Sequence, residues 1–599
     1  MPRLHPAAVF GMTAILLASC ARSGIETAGP PATSPAPAAN DIVVTGTRSN
    51  APSLAQEQSA PIAAVDRSAM YAPPPPPPLP PPPPPPEPVP VMMGKMMASR
   101  AYSPMAEENA RMPRPYYQDV GRDKFTATTE NPFKVAREEP VSTFSIDVDT
   151  ASYSFVRASL NRNVLPQPAA VRTEEMVNYF PYSYASARSA DQPFSTNVAV
   201  FPSPWTEGRK LVHIGIRGYE IQRETRPRAN LVFLIDTSGS MNAPNKLPLV
   251  KQSLAMLLDQ LDANDRVSIV TYAGSAGTAL EPTRASEKGR ILAVIDRLGA
   301  GGSTAGAEGI RQAYTLAEAN LDPKGVNRVI LATDGDFNVG ITNQEELKGY
   351  IERERGKGVF LSVLGFGMGN YNDALMQALA QNGNGAAAYI DTVSEARRTL
   401  VDEATSTLFP IAKDVKIQVE FNPATVAEYR LIGYETRMLA REDFENDKVD
   451  AGDVGSGQTV TAIYEIVPVG GPRSIGDLRY SQPAPVAARV ASRGSEYGFI
   501  KIRYKLPKSD TSRLISTPID RTTEALRFED APRDARFATG VAAFAELLRG
   551  GKNNGSMTYD DVLRIVTATR GEDDFGYRTE FVQLVRAAKS AGAIARLQR

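Results

Sequence analysis

Residues 231–241 read LVFLIDTSGSM, five apolar side chains running directly into Asp236, Thr237, Ser238, Gly239 and Ser240. The apolar part is continuous rather than alternating, which marks a strand buried on both faces of a parallel sheet. The same pattern recurs downstream. It predicts strands at 231–235, 266–272, 329–333, 360–365 and 387–390, and helices at 247–261, 288–298, 307–319, 344–356, 373–382 and 394–407. In the first helix Val250, Leu254, Leu257, Leu258 and Leu261 recur at spacings of three and four, giving one apolar face. Alternating strands and helices of this kind predict an α/β fold with a doubly wound parallel sheet, spanning residues 229–410. In such folds the functional site lies at the carboxyl ends of the strands.

The polar motifs fall at those ends. Asp236, Ser238 and Ser240 follow the first strand, Thr304 sits in GAGGSTAG (299–306), and Asp334 follows the apolar run of RVILATDGDFN (328–338). A D-x-S-x-S sequence joined by a distant Thr and Asp resembles the metal-ion-dependent adhesion site (MIDAS) of von Willebrand factor A (VWA) domains. The resemblance implies that Asp236, Ser238, Ser240, Thr304 and Asp334 hold a divalent cation. Hydroxyls would coordinate directly, and the two aspartates would act through water or hold the serines. Hard divalent ions prefer oxygen donors, so Mg²⁺ is the expected ion, with Mn²⁺ and Ca²⁺ as alternatives. Few direct charges would leave the ion electrophilic and open to a carboxylate from a partner protein. Gly239 is expected to relax the loop. Helix capping alone would account for any one of these loops, but not for the joint pattern.

Rival chemistries lack residues. The only cysteine is Cys20 and the only histidines are His5 and His213. Zinc sites favour Cys and His, and nucleophilic triads need a histidine beside the nucleophile. His213 lies in the alternating run LVHIGIRG, where a structural role is expected. The motif Asp147-Val148-Asp149-Thr150 resembles the nucleophile loop of haloacid-dehalogenase-type phosphatases, but Ala151 occupies the fifth position. The chain is therefore read as a binding protein rather than an enzyme. With 66 basic and 67 acidic residues it carries no general attraction for nucleic acid.

The amino terminus reads as an export signal over 1–19, ending Leu17-Ala18-Ser19-Cys20, which resembles a bacterial lipobox. That resemblance implies a lipid on Cys20 and an envelope location, with Ala21 favouring the outer membrane. Residues 20–120 are rich in Ala, Pro and Ser, and the run 73–90 is proline apart from Leu79, Glu87 and Val89. Polyproline II geometry makes that run a spacer of roughly 55 Å. Around the α/β unit, 131–228 and 411–518 show alternating runs typical of an antiparallel β-sandwich, so the unit is expected to be inserted in that sandwich or flanked by it. Residues 519–599 read as helical, at 537–548, 559–567 and 578–588. Both flanks resemble the regions that accompany the VWA domain in a bacterial lipoprotein family. A lipid-anchored binder of an acidic group on an envelope protein is the leading expectation. A structural envelope protein whose metal only braces its loops is the second.

Overall fold

Each of the eight residues Ala229–Asp236 is buried, and this strand lies inside a six-stranded sheet. The computed structural model describes residues 124–597, apart from 147–148, 304–305, 336–343, 368–370, 450 and 477–494. The sheet runs in the order Ala387–Ile390, Val359–Phe366, Val326–Thr333, Ala229–Asp236, Arg266–Tyr272 and Ala276–Arg284. The first five strands are parallel. Alternate side chains of the Ala229–Asp236 strand supply two cores. Leu231, Phe233 and Ile235 meet Val250, Leu254 and Leu257 of the helix Leu247–Leu258. Val232 and Leu234 meet Ile310, Tyr314, Leu347 and Leu379 on the other face. Burial of each such aliphatic or aromatic side chain contributes about 1.5–3 kcal/mol, which favours the unbroken apolar run Leu231–Ile235. The doubly wound α/β fold read from the sequence is therefore present.

Two local readings need correction. The sixth strand, Ala276–Arg284, is antiparallel and was not expected. It is an edge strand with only Leu280 and Thr283 buried, so it lacks an apolar run. The last helix, expected as one piece, is broken into Val393–Arg397, a π-helical turn Arg398–Asp402, and Ala404–Leu408.

Strands from both sides of the α/β unit pair with each other. Phe194–Pro202 and Lys210–Gly218 join Thr459–Pro468, Val426–Ile432 and Lys134–Val135 in one five-stranded sheet. Val141–Ser145 pairs with Pro410–Phe421, which continues into Glu496–Lys505 and Ser512–Asp520. Phe144, Ile417, Val419 and Ile500 of the second sheet share a core with Val212, Ile214, Tyr429 and Tyr464 of the first, which makes a β-sandwich. The outer face of the five-stranded sheet is covered by helices. Phe201, Leu211 and Ile463 pack there with Arg533–Arg549, Tyr559–Thr569 and Tyr577–Leu597. Among the described residues no helix is long and apolar enough to cross a membrane.

Buried charge joins the α/β unit to these helices. Arg157, in the helix Ala151–Leu160, is 1% exposed and donates to Asp391, to Glu395 Oε2 at 2.8 Å, to the Tyr179 hydroxyl at 2.9 Å and to Glu580 Oε2 at 3.1 Å. Burial alone would raise the Glu395 carboxyl, but Arg157 and Arg398 outweigh it and hold it below the usual range.

Candidate metal-binding site

The strand Ala229–Asp236 ends with a fully buried carboxylate. Asp236 Oδ2 accepts from the Tyr272 hydroxyl at 3.2 Å and from Thr333 Oγ1 at 3.3 Å, and both donors end neighbouring parallel strands. Its Oδ1 accepts from the Ser238 amide at 2.9 Å, which bends the loop back over the strand end. Burial, reinforced by the nearby Asp334 carboxylate, raises the Asp236 carboxyl, and the Ser238 and Tyr272 hydrogen bonds oppose that rise. Asp236 therefore orients the loop more than it reaches outward. Ser238 is buried, Ser240 is exposed, and their hydroxyl oxygens stand 3.0 Å apart.

The glycine-rich loop is tied to this one through backbone. Gly301 donates to the Thr237 carbonyl at 2.8 Å, and Gly239 donates to the Gly302 carbonyl at 3.1 Å. These bonds carry the chain to the serines just before Thr304, which itself lies outside the described residues, as do Asp336 and Asn338. The expected role of Gly239 is corrected: a Cβ there would meet only the Gly302 carbonyl, at an ordinary 3.6 Å. The left-handed positions belong to Gly302 (φ 85°) and Gly335 (φ 99°), where a side chain would strain the backbone. Gly335 donates to Thr333 Oγ1 at 3.2 Å, fixing the turn that follows Asp334.

Asp334 is fully buried and lies close enough to Asp236 to raise its carboxyl. Lys246 reaches Asp334 Oδ2 at 2.8 Å, with 11% of its side chain exposed. The structure thus gathers Asp236, Ser238, Ser240 and Asp334 at the carboxyl ends of two neighbouring parallel strands. It adds Lys246, Tyr272 and Thr333, which sequence reading did not assign. Tyr272 and Thr333 could have been found from the rule that strand carboxyl ends build the site. Nothing in the sequence marks Lys246.

Two buried carboxylates beside a pair of hydroxyl oxygens, with one ammonium, leave an excess negative charge away from water. That donor set fits a hard divalent cation, since buried charge is tolerated only when paired or coordinated.

His213 is 3% exposed, and its Nε2 lies 3.0 Å from the Tyr184 hydroxyl, which also bonds Thr461 Oγ1 at 2.6 Å. Burial pulls its imidazole down to about 4. The pair stands on the outer face of the five-stranded sheet, under the helical layer that also buries Leu211. Asp149 is likewise committed, accepting from the Ala387 amide and from Arg437, each at 2.8 Å. Asp147 lies outside the described residues, as do Cys20 and the proline-rich segment.

The description of the von Willebrand factor type A domain matches residues 230–403, that of von Willebrand factor matches 119–213, and that of the YfbK C-terminal region matches 406–591. A protein of Escherichia coli (strain K12), named Uncharacterized protein YfbK, is 40% identical over 503 residues, covering 83% of this chain and 86% of its own. The chain belongs to this bacterial VWA family. Human inter-alpha-trypsin inhibitor heavy chain H4 is 28% identical over 227 residues, covering 36% of this chain and 24% of its own. Among solved structures, a von Willebrand factor type A protein from Catenulispora acidiphila is 16% identical, with a TM-score of 0.37 and coverage of 66% and 89%. Proximal thread matrix protein 1 of the mussel byssus, solved with a zinc-occupied MIDAS motif, is 22% identical, with a TM-score of 0.25 and coverage of 30% and 46%. The VWA domain is a protein-interaction fold, so this chain carries an interaction module within a β-sandwich and helical frame.

Proposed function

We propose that this VWA protein captures an acidic group of a cell-envelope protein through a divalent cation held by Asp236, Ser238, Ser240, Thr304 and Asp334. The supporting observation is the strand-end cluster, in which Asp236 is locked from three sides while the Ser238 and Ser240 hydroxyls stand together at its rim. Such a cation, Mg²⁺ first among the candidates, would offer a coordination position to a carboxylate. The protein's own residues supply rigidity, because Tyr272, Thr333 and the Ser238 amide fix Asp236 before any ligand arrives. The engagement of Asp149 with Ala387 and Arg437 supports binding over phosphoryl transfer. Lipid on Cys20 and the proline-rich spacer would present the domain from the membrane, most simply the outer membrane.

Ser240 gives the cleanest test because it is exposed and its loss leaves the core intact. Calorimetric titration with MgCl₂ should show binding to the wild type and a large loss in Ser240→Ala at unchanged melting temperature. Crosslinked pulldown from intact envelopes should recover a partner with Mg²⁺ but not with EDTA. Equal recovery in both would refute the binding reading. Chelation that lowered melting temperature without altering recovery would favour a bracing role for the metal. Acyl labelling that persists in Cys20→Ser would refute the anchor.

A further inference from the structure

The cluster proposed to hold a divalent ion already contains a tethered cation. Lys246 immediately precedes the helix Leu247–Leu258, and both of its backbone groups are engaged. Its amide donates to the Ala243 carbonyl at 3.0 Å and its carbonyl accepts from Val250 at 2.9 Å. The side chain then crosses bare backbone at Gly367. A Cβ added to Gly367 would lie 2.5, 2.7 and 3.0 Å from Lys246 Cε, Cγ and Cδ, and Gly367 has a φ of 75°. The glycine is itself held, since its carbonyl accepts from the Tyr389 hydroxyl at 2.8 Å. The stem therefore runs in a groove floored by a residue without a side chain, and it delivers Nζ to Asp334 Oδ2 at 2.8 Å. Lysine is rarely this buried without a specific partner.

Charge counting gives the consequence. Among the described residues of the site Asp236 and Asp334 contribute two negative charges and Lys246 one positive, a net of −1 in a water-poor setting. A dication bound beside Asp334 must share that carboxylate with an ammonium or displace it, and like charges repel more strongly as the local dielectric falls. We propose that Lys246 is a built-in competitor for the divalent cation. It occupies Asp334 in the metal-free protein, weakens metal binding, and brings the described residues plus a bound dication to a net charge of +1. This rests on the metal-site reading given above. A loaded site of net positive charge favours an anionic ligand group, so the lysine would also sharpen the preference for an acidic partner.

The test is titration of the full chain with MnCl₂, followed by calorimetry and by the electron paramagnetic resonance signal of free Mn²⁺. Lys246→Met keeps the stem and removes the charge. Gly367→Ala keeps the charge but evicts the stem from its groove, and so serves if Lys246→Met fails to fold. Either change should tighten Mn²⁺ binding on the order of tenfold. Lys246→Met should also lower the melting temperature of the metal-free protein and regain it on Mn²⁺ addition. Unchanged or weaker Mn²⁺ affinity in folded variants would overturn the proposal and make Lys246 a brace for Asp334. Absence of Mn²⁺ binding in the wild type and both variants would instead refute the metal site itself.

Discussion

Acidification offers a quantitative test of how the helical layer is seated on the five-stranded sheet, because His213 is the single imidazole within the described residues. Burial lowers its pKa from 6.5 to about 4. Between those values the unfolded chain holds a proton that the folded chain refuses. Folding stability is therefore lost as pH falls from near neutrality toward 4. Integrating this difference gives a loss of about 2 kcal/mol between pH 7 and pH 5. Other buried groups act in the opposite sense. Burial raises the carboxyls of Asp236, Asp391 and Glu580, so their folded forms hold protons more tightly and gain stability on acidification. The total slope mixes both signs, and only a difference isolates the imidazole. Urea unfolding followed by the fluorescence of Trp205, the only tryptophan, supplies the measurement. Trp205 is buried in the helical core and donates to Glu465 Oε1 at 3.1 Å. In His213→Gln the neutral side chain retains a polar group near Tyr184 and cannot titrate. The wild type should lose about 2 kcal/mol more than this variant between pH 7 and pH 5. Equal losses in the two proteins would refute the argument that buried His213 carries the acid sensitivity.

Two buried arginines should respond in opposite ways. Arg157→Met strips buried Asp391 and half-buried Glu580 of their arginine partner, and should cost about 3–5 kcal/mol by the same urea assay, most of it from Asp391. A cost below about 1 kcal/mol would show that the network contributes specificity rather than stability. Arg328 is also buried, but its Nε has no hydrogen-bond partner, its Nη1 reaches only the Ser362 hydroxyl at 2.6 Å, and burial pulls it down to about 10. Arg328→Met should be neutral or stabilising in thermal melts, since no close ion pair is lost.

The sequence was most legible where burial is two-sided. The strands Arg266–Tyr272 and Ala387–Ile390 and the helices Gln344–Gly356 and Asp373–Asn382 match their expected limits. Each strand there buries residues on both faces, five of seven in Arg266–Tyr272 and all four in Ala387–Ile390, as a covered sheet requires. The helices Ala151–Leu160 and Thr173–Asn178 were not foreseen. Their buried faces include Ser152, Ser154, Arg157, Glu174 and Glu175, whose polarity reads as surface until distant ion pairs and hydrogen bonds are known. The site divides in the same way. Asp236, Ser238 and Ser240 are neighbours in sequence and Asp334 follows a recognisable strand, so they could be assigned. Lys246 depends on a glycine 121 positions later, a relation that no local pattern encodes.

The pairing of strands across the α/β unit has a mechanical meaning. Lys210–Gly218 leads into the unit and lies between two neighbours in the five-stranded sheet, while Pro410–Phe421 leads out and lies between two neighbours in the other. Under tension across the α/β unit, these two covalent links would act together with the buried Arg157 contacts to Asp391 and Glu395. Each link ends in an interior strand that is paired on both sides. The α/β unit is held by its frame at both ends of its chain, like a bucket by both ends of its handle.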